Sequence, residues 1–163
     1  MRWASWPRAA SCSGAGADLT MKPEPLVHRL RVRYAECDLQ GIAFNAHYLN
    51  YFDTSMTELW RAAYGSYQVM LDRGVDMVLA EVRLRFLRPA RFDDELELAV
   101  VVTHLGRTSF ITRHTASREG EQIAEGELRH VLVERETGTK SPLPDWLRDG
   151  LAPWTVTEDP GQG

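Results

Sequence analysis

Apolar and basic side chains alternate along residues 26–34, with Leu30, Val32 and Tyr34 on one face and Arg29, Arg31 and Arg33 on the other. A period of two is the mark of a half-buried strand. The next segment, AECDLQG, is built of turn formers. From His47 the period changes. Tyr48, Leu49, Phe52, Met56, Leu59, Trp60 and Ala63 fall within roughly 120° of arc at helical spacing, opposite Asn50, Thr54, Thr57, Glu58 and Arg61. This predicts a long helix with one deeply buried stripe, ending near Gly65. A polar, glycine-containing connection follows over residues 65–76. Alternation then returns, with Val78, Ala80, Val82, Leu84 and Phe86 on one face of a strand that runs to Pro89. Three further strands are predicted at hairpin spacing: Leu96 to Val102, TSFITRHTAS, and QIAEGELRHVLVER. A short helix is expected at DWLRDGL, and the tail VTEDPGQG is expected to be disordered.

One strand, one long helix and four consecutive strands define an α+β protein with an antiparallel sheet. The stripe on a single helix of this size must lie against that sheet. The 163 residues fit one domain, here bounded at 25–150, between an N-terminal extension (1–24) and a C-terminal tail (151–163). The first twenty residues are rich in Ala, Ser and Gly and lack the continuous apolar core of a secretory signal. They read as a dispensable disordered extension, with Met21 as an alternative start.

Charge changes this picture little. A formal net charge of -4 argues against a nucleic-acid partner, and the absence of a long apolar run argues against a membrane span. A cytoplasmic location is the resulting expectation. Two cysteines, Cys12 and Cys37, make no disulfide framework and no CxxC. Arginines recur at 29, 31, 33, 83, 85, 88 and 91; they read as a solvated face, with anion binding as the alternative.

The segment between the first strand and the helix carries the candidate chemistry. Asp38 can be an ordinary turn residue or a carboxylate aimed at the helix entrance. The signature D-x-x-G-I-x-F-N-A-H-Y-L-x-Y-F, from Asp38 to Phe52, together with the strand order, resembles the hotdog fold. More closely it is similar to acyl-CoA thioesterases of the 4-hydroxybenzoyl-CoA thioesterase type. The resemblance spans about residues 30–133, with the RPARFDDEL hairpin and the run from Arg107 to His114 as support. It implies a five-stranded antiparallel sheet wrapped around one central helix, and hydrolysis of an acyl-CoA thioester in a site shared by two subunits of a homodimer or homotetramer. It implies no cofactor or metal, coenzyme A being part of the substrate.

Mapped onto this chain, the resemblance makes Asp38 the base or nucleophile. A helix N-terminal backbone N–H near Asn45 becomes the oxyanion donor, and Gly41 the residue that lets the backbone approach. It also implies substrate contacts at Phe44 and Tyr48, phosphate contacts at Arg88 and Arg91, and coenzyme A contacts at Arg107, Thr108 and Ser109. Some relatives place His or Tyr at the helix entrance where this chain has Asn45, so substrate preference does not transfer.

Glu58 is a reserve carboxylate on the helix. His47 lies nine residues from Asp38 and does not reproduce the D-x-N-x-x-H spacing of hotdog hydratases; it reads as a helix-end or interface residue. His114 and His130, in alternating strands, read as structural. Three functions stay open from the sequence: thioesterase, enoyl-thioester hydratase or dehydratase, and a non-catalytic acyl-CoA binding module.

Overall fold

The structure, a computed structural model, describes residues 23–156. Strand β1 (Leu26–Arg31) leads through a 3₁₀ turn (Tyr34–Glu36) into helix α1 (Asn45–Tyr64), and a short helix α2 (Gln68–Asp72) follows. Four strands come next, β2 (Val75–Phe86), β3 (Glu95–Leu105), β4 (Ser109–Arg118) and β5 (Glu121–Glu134), then helix α3 (Asp145–Leu151). The strands form one antiparallel sheet in the order β1-β3-β4-β5-β2. The sheet wraps around α1 in the hotdog arrangement that the sequence led us to expect. β1 and β2 are its edges.

Helix α1 buries Tyr48, Phe52, Met56, Leu59 and Trp60 as its stripe predicts, and adds Tyr51 and Ser55, which the hydropathy pattern did not include. Gly65 ends the helix at φ +82°. Two apolar clusters fill the space beneath. One gathers Tyr48, Phe52, Leu96, Leu98 and Ile123; the other gathers Met56, Trp60, Phe110, Leu132 and Leu147.

A buried polar chain lies where the clusters divide. Ser55 donates its one hydroxyl proton to the Phe52 carbonyl (2.8 Å), so it accepts from His114 Nδ1 (2.9 Å). His114 Nε2 is then the acceptor of the Thr112 hydroxyl (2.8 Å), and Thr112 accepts from His130 Nε2 (3.3 Å). The Thr112 hydroxyl also lies 3.5 Å from the Leu128 carbonyl, and these tautomers follow from assigning its proton to the shorter contact. Burial pushes His114 down to about 3, with His130 adding to the effect, and burial alone pushes His130 down to about 4. Both histidines are structural, as their strand positions suggested.

Four sequence expectations need correction. Tyr34 was placed on the apolar face of β1, but the strand ends at Arg31 and Tyr34 is 80% exposed in the following turn. The connection at 65–76 contains α2. The regular alternation assigned to β2 is broken by a bulge between Leu79 and Glu81. Met77 and Leu79 face the core before it, and Val82, Leu84 and Phe86 after it, while Val78 pairs with Val131 on the outer face. An extra residue at Ala80 reverses the phase. The domain boundary at 150 is also too early, because Val156 donates to the Val102 carbonyl (2.9 Å) and Thr155 bridges Val102. The expectations for residues 1–22 and 157–163 lie outside the described residues.

Candidate active site

Residues 37–43 form a small hairpin between the 3₁₀ turn and α1. Cys37 bridges Ala43, and Asp38 N–H donates to the Ile42 carbonyl (2.9 Å). Gly41 N–H closes the turn on the Asp38 carbonyl (2.9 Å), and Gln40 N–H donates to Asp38 Oδ1 (2.8 Å). A short carboxylate that caps the amide two residues on is common turn chemistry. It leaves Asp38 Oδ2 without a protein donor among the described residues, on a half-buried side chain. Gly41 is required for its φ of +72°, not for crowding: a Cβ there would meet nothing within 4 Å.

The hairpin is held on two sides. Ala43 N–H donates to the Ala90 carbonyl, and Phe44 N–H to the Glu36 carbonyl, each at 2.8 Å. Ile42 bridges Arg91, which brings the turn before β3 against the Asp38 hairpin. Helix α1 then starts at Asn45 with Phe44 as N-cap and no capping side chain. Asn45 and Ala46 amides find no acceptor among the described residues, whereas His47 N–H donates to the Phe44 carbonyl (2.9 Å). A twenty-residue helix that presents two unpaired amides and no acid in its first turn offers the positive end of its dipole to a ligand.

Phe44 is half exposed beside this opening. Tyr48, by contrast, is 3% exposed and packs its ring edge-on to Phe86 at 5.2 Å. It forms the wall behind the helix entrance. Burial raises its hydroxyl above the ordinary range, and the Ala90 backbone hydrogen bond only partly offsets this.

The structure separates the remaining expected site residues. Arg91 sits beside the Asp38 hairpin and its guanidinium has no partner among the described residues. Arg88 is already engaged, with Nε 2.7 Å from Glu121 and NH1 3.0 Å from the Gln122 carbonyl. The outer-face arginines follow the same rule: Arg29, Arg31, Arg83 and Arg85 pair with Glu97, Glu95, Glu81 and Glu125. The anion-binding alternative for these four is thereby corrected to surface ion pairs, three across neighbouring strands and Arg83–Glu81 along β2.

Arg107 and Thr108 form the β3–β4 turn and Ser109 opens β4, at the opposite end of the sheet and roughly 30 Å from the Asp38 hairpin at strand spacing. One chain alone does not bring them to Asp38. Glu58 is also remote. Thirteen residues down α1 from Asn45, about 20 Å at helical rise, it pairs with Arg61, which holds its carboxyl below the usual range.

Two residues that sequence reasoning missed border the hairpin. Glu36 and Tyr51 bond to each other across it (2.8 Å). Tyr51 is a fixed position of the Asp38 to Phe52 signature that was given no role, and Glu36 lies two residues ahead of it. A cleft of about 300 Å³ also opens between α1 and the first half of β2, walled by Met56, Trp60, Tyr67, Met77 and Leu79, with His130 at its floor. Among the described residues no helix is long and apolar enough to cross a membrane.

A five-stranded antiparallel sheet around one helix, with a carboxylate-bearing hairpin at that helix's N-terminus, defines a hotdog-type protein. The chain belongs to the thioesterase-like superfamily, whose family model matches residues 32–151. It is 28% identical over 126 residues to a 1,4-dihydroxy-2-naphthoyl-CoA hydrolase of Synechococcus elongatus, covering 74% of this chain and 90% of that one. It is 28% identical over 106 residues to the acyl-CoA thioester hydrolase YbgC of Escherichia coli, covering 64% and 79%. Among solved structures, a hypothetical protein of Aquifex aeolicus superposes with a TM-score of 0.74 at 27% identity, covering 78% of this chain and 99% of that one.

Proposed function

We propose that this protein hydrolyses an acyl-CoA thioester, with Asp38 as base or nucleophile and the N-terminal amides of α1 as the oxyanion site. One observation carries the reading. The free oxygen of Asp38 and the unpaired amides of Asn45 and Ala46 belong to a single braced hairpin and helix start. Thioester hydrolysis needs such a pair, a basic oxygen near the carbonyl carbon and donors where the oxygen gains charge. Asp38 then either deprotonates a water or attacks the carbonyl itself. Attack expels coenzyme A thiolate and leaves a mixed anhydride, which water opens to the free acid. Two relatives named for coenzyme A thioester hydrolysis support the same substrate class.

The site is completed by a second copy. β2 is the edge that exposes apolar side chains, with Val78, Leu79, Val82 and Phe86 each 36–49% exposed. Antiparallel pairing of two β2 strands removes this edge and sets the Val75 end of one copy beside the Phe86 end of the other. The cleft near Met77 and Leu79 then faces the partner's helix entrance and can take the acyl group. The same symmetry moves a partner's β3–β4 turn towards the Asp38 end.

Thiol release from a panel of acyl-CoA substrates tests the activity, and Asp38→Asn tests the residue. Asparagine can still accept the Gln40 amide but has no basicity. Turnover should fall about 10²-fold or more, with the fold unchanged by circular dichroism. Near-normal turnover in the folded variant would overturn the assignment.

A further inference from the structure

Glu36 lies in a turn whose neighbours Arg33, Tyr34 and Ala35 are exposed, yet its own side chain is only 13% exposed. Its Oε2 accepts two hydrogen bonds of 2.8 Å, from the Arg33 backbone amide and from the Tyr51 hydroxyl. Among the described residues Oε1 has only Arg33 Nε, at 3.5 Å. The backbone of the same residue makes the second attachment, because its carbonyl accepts the Phe44 amide. Tyr51 is 3% exposed and lies in the second turn of α1, with the His47 ring stacked at 6.5 Å and Tyr48 edge-on at 5.6 Å. Burial and then the Glu36 bond raise the tyrosine hydroxyl, which keeps it a donor.

A buried tyrosine hydroxyl has to be matched by an acceptor, whereas phenylalanine would fill the space without one. The match here spans the two halves of the site. Glu36 stands two residues before Asp38, and Tyr51 stands six residues after Asn45. Backbone bonds brace the hairpin itself, from Asp38 to Ile42, from Ala43 to Ala90 and from Phe44 to Glu36. The Glu36–Tyr51 bond adds a side-chain tie from the segment ahead of Asp38 to the second turn of α1.

We propose that Glu36 and Tyr51 are positioning residues, a clamp that fixes the Asp38 hairpin relative to the N-terminal amides of α1. The inference rests on the thioester-hydrolysis reading above, and neither side chain has to touch substrate. Displacing a reacting group by about 1 Å costs up to 10²-fold in rate, so a loosened hairpin lowers kcat and leaves KM nearly unchanged.

Steady-state kinetics of four variants test it. Tyr51→Phe and Glu36→Ala should each lower kcat about tenfold, with KM moved by no more than about twofold. Glu36→Gln should recover most of the Glu36→Ala loss, because one amide oxygen in the place of Oε2 accepts both donors. The double variant Glu36→Ala/Tyr51→Phe should be no slower than Glu36→Ala, since both changes delete one bond. Losses that multiply in the double variant, undiminished kcat in Tyr51→Phe, or a Glu36→Gln enzyme as slow as Glu36→Ala would each overturn the clamp.

Amide exchange separates this proposal from the activity reading, whatever the protein hydrolyses. In Tyr51→Phe the Phe44 and Asp38 amides should exchange at least about tenfold faster, with Leu98 and Leu128 unaffected. Unchanged exchange at Phe44 overturns the clamp even if thiol release is robust. Faster exchange with no thiol release by the wild-type protein overturns only the hydrolysis reading.

Discussion

His114 and His130 are two bases that the fold keeps from binding protons. Their folded values, about 3 and about 4, lie below the ordinary 6.5 because burial penalises the cation. Below pH 6.5 the unfolded chain takes up protons that the folded chain refuses, so stability is full above that pH and falls as pH drops towards 4. With two such groups the slope approaches about 2.7 kcal/mol per pH unit. Urea unfolding at pH 7, 6 and 5 should show this loss, and His130→Gln should roughly halve the slope; a flat profile would contradict the buried, neutral assignment. Gly126 shows a different constraint. A Cβ there would lie 2.6 Å from Phe52 Cε2 and 2.8 Å from Leu84 Cδ2. Gly126→Ala should cost about 1–3 kcal/mol through overpacking, read as a lower urea midpoint with unchanged m-value. Gly41 is constrained by φ alone, so Gly41→Ala should disturb the Asp38 turn and leave the core intact.

Among the elements, α1 does two jobs with different faces and ends. Its stripe fills the core, and its first turn keeps two amides unpaired. An N-cap side chain normally contributes about 1 kcal/mol, and Phe44 supplies none. Phe44→Ser should therefore raise stability by up to about that amount. By placing a hydroxyl on the first-turn amides it should also lower turnover. Thermal unfolding and thiol release on one preparation check both signs; a variant with higher activity would argue that these amides do not meet the oxyanion. The strand β2 is the other element under opposing demands. Its bulge at Ala80 changes phase, so both halves present apolar residues to α1 while the strand remains an unpartnered edge.

At the scale of the molecule, one chain holds Asp38 and the coenzyme-facing candidates Arg107, Thr108 and Ser109 at opposite ends of the sheet. In the shared-site reading proposed above, pairing of two copies brings them together. Val82→Lys would place like charges near the β2 twofold and should give a monomer in sedimentation velocity. Activity should fall at least about tenfold, as expected when half a site is removed. A fully active wild-type monomer would refute the shared site. A tetramer is compatible, since it retains the β2 pair.

The sequence by itself determined what repeats along the chain. Period-two and period-3.6 patterns located five strands and α1, and Gly65 marked its end, because hydrophobic burial imposes a period that each element must obey. The turn chemistry of Asp38 and Gly41 was legible for the same reason, being local. The phase of β2 was not, since one unpaired residue at Ala80 reverses the faces and only cross-strand register reveals it. The tertiary structure alone decided which arginines are free, because the carboxylate partners of Arg29, Arg31 and Arg85 lie on neighbouring strands. It also decided that Ser55, Thr112, His114 and His130 join into one chain and that Glu36 meets Tyr51. Each of those bonds joins positions that hydropathy treats separately, and packing brings them within hydrogen-bond reach.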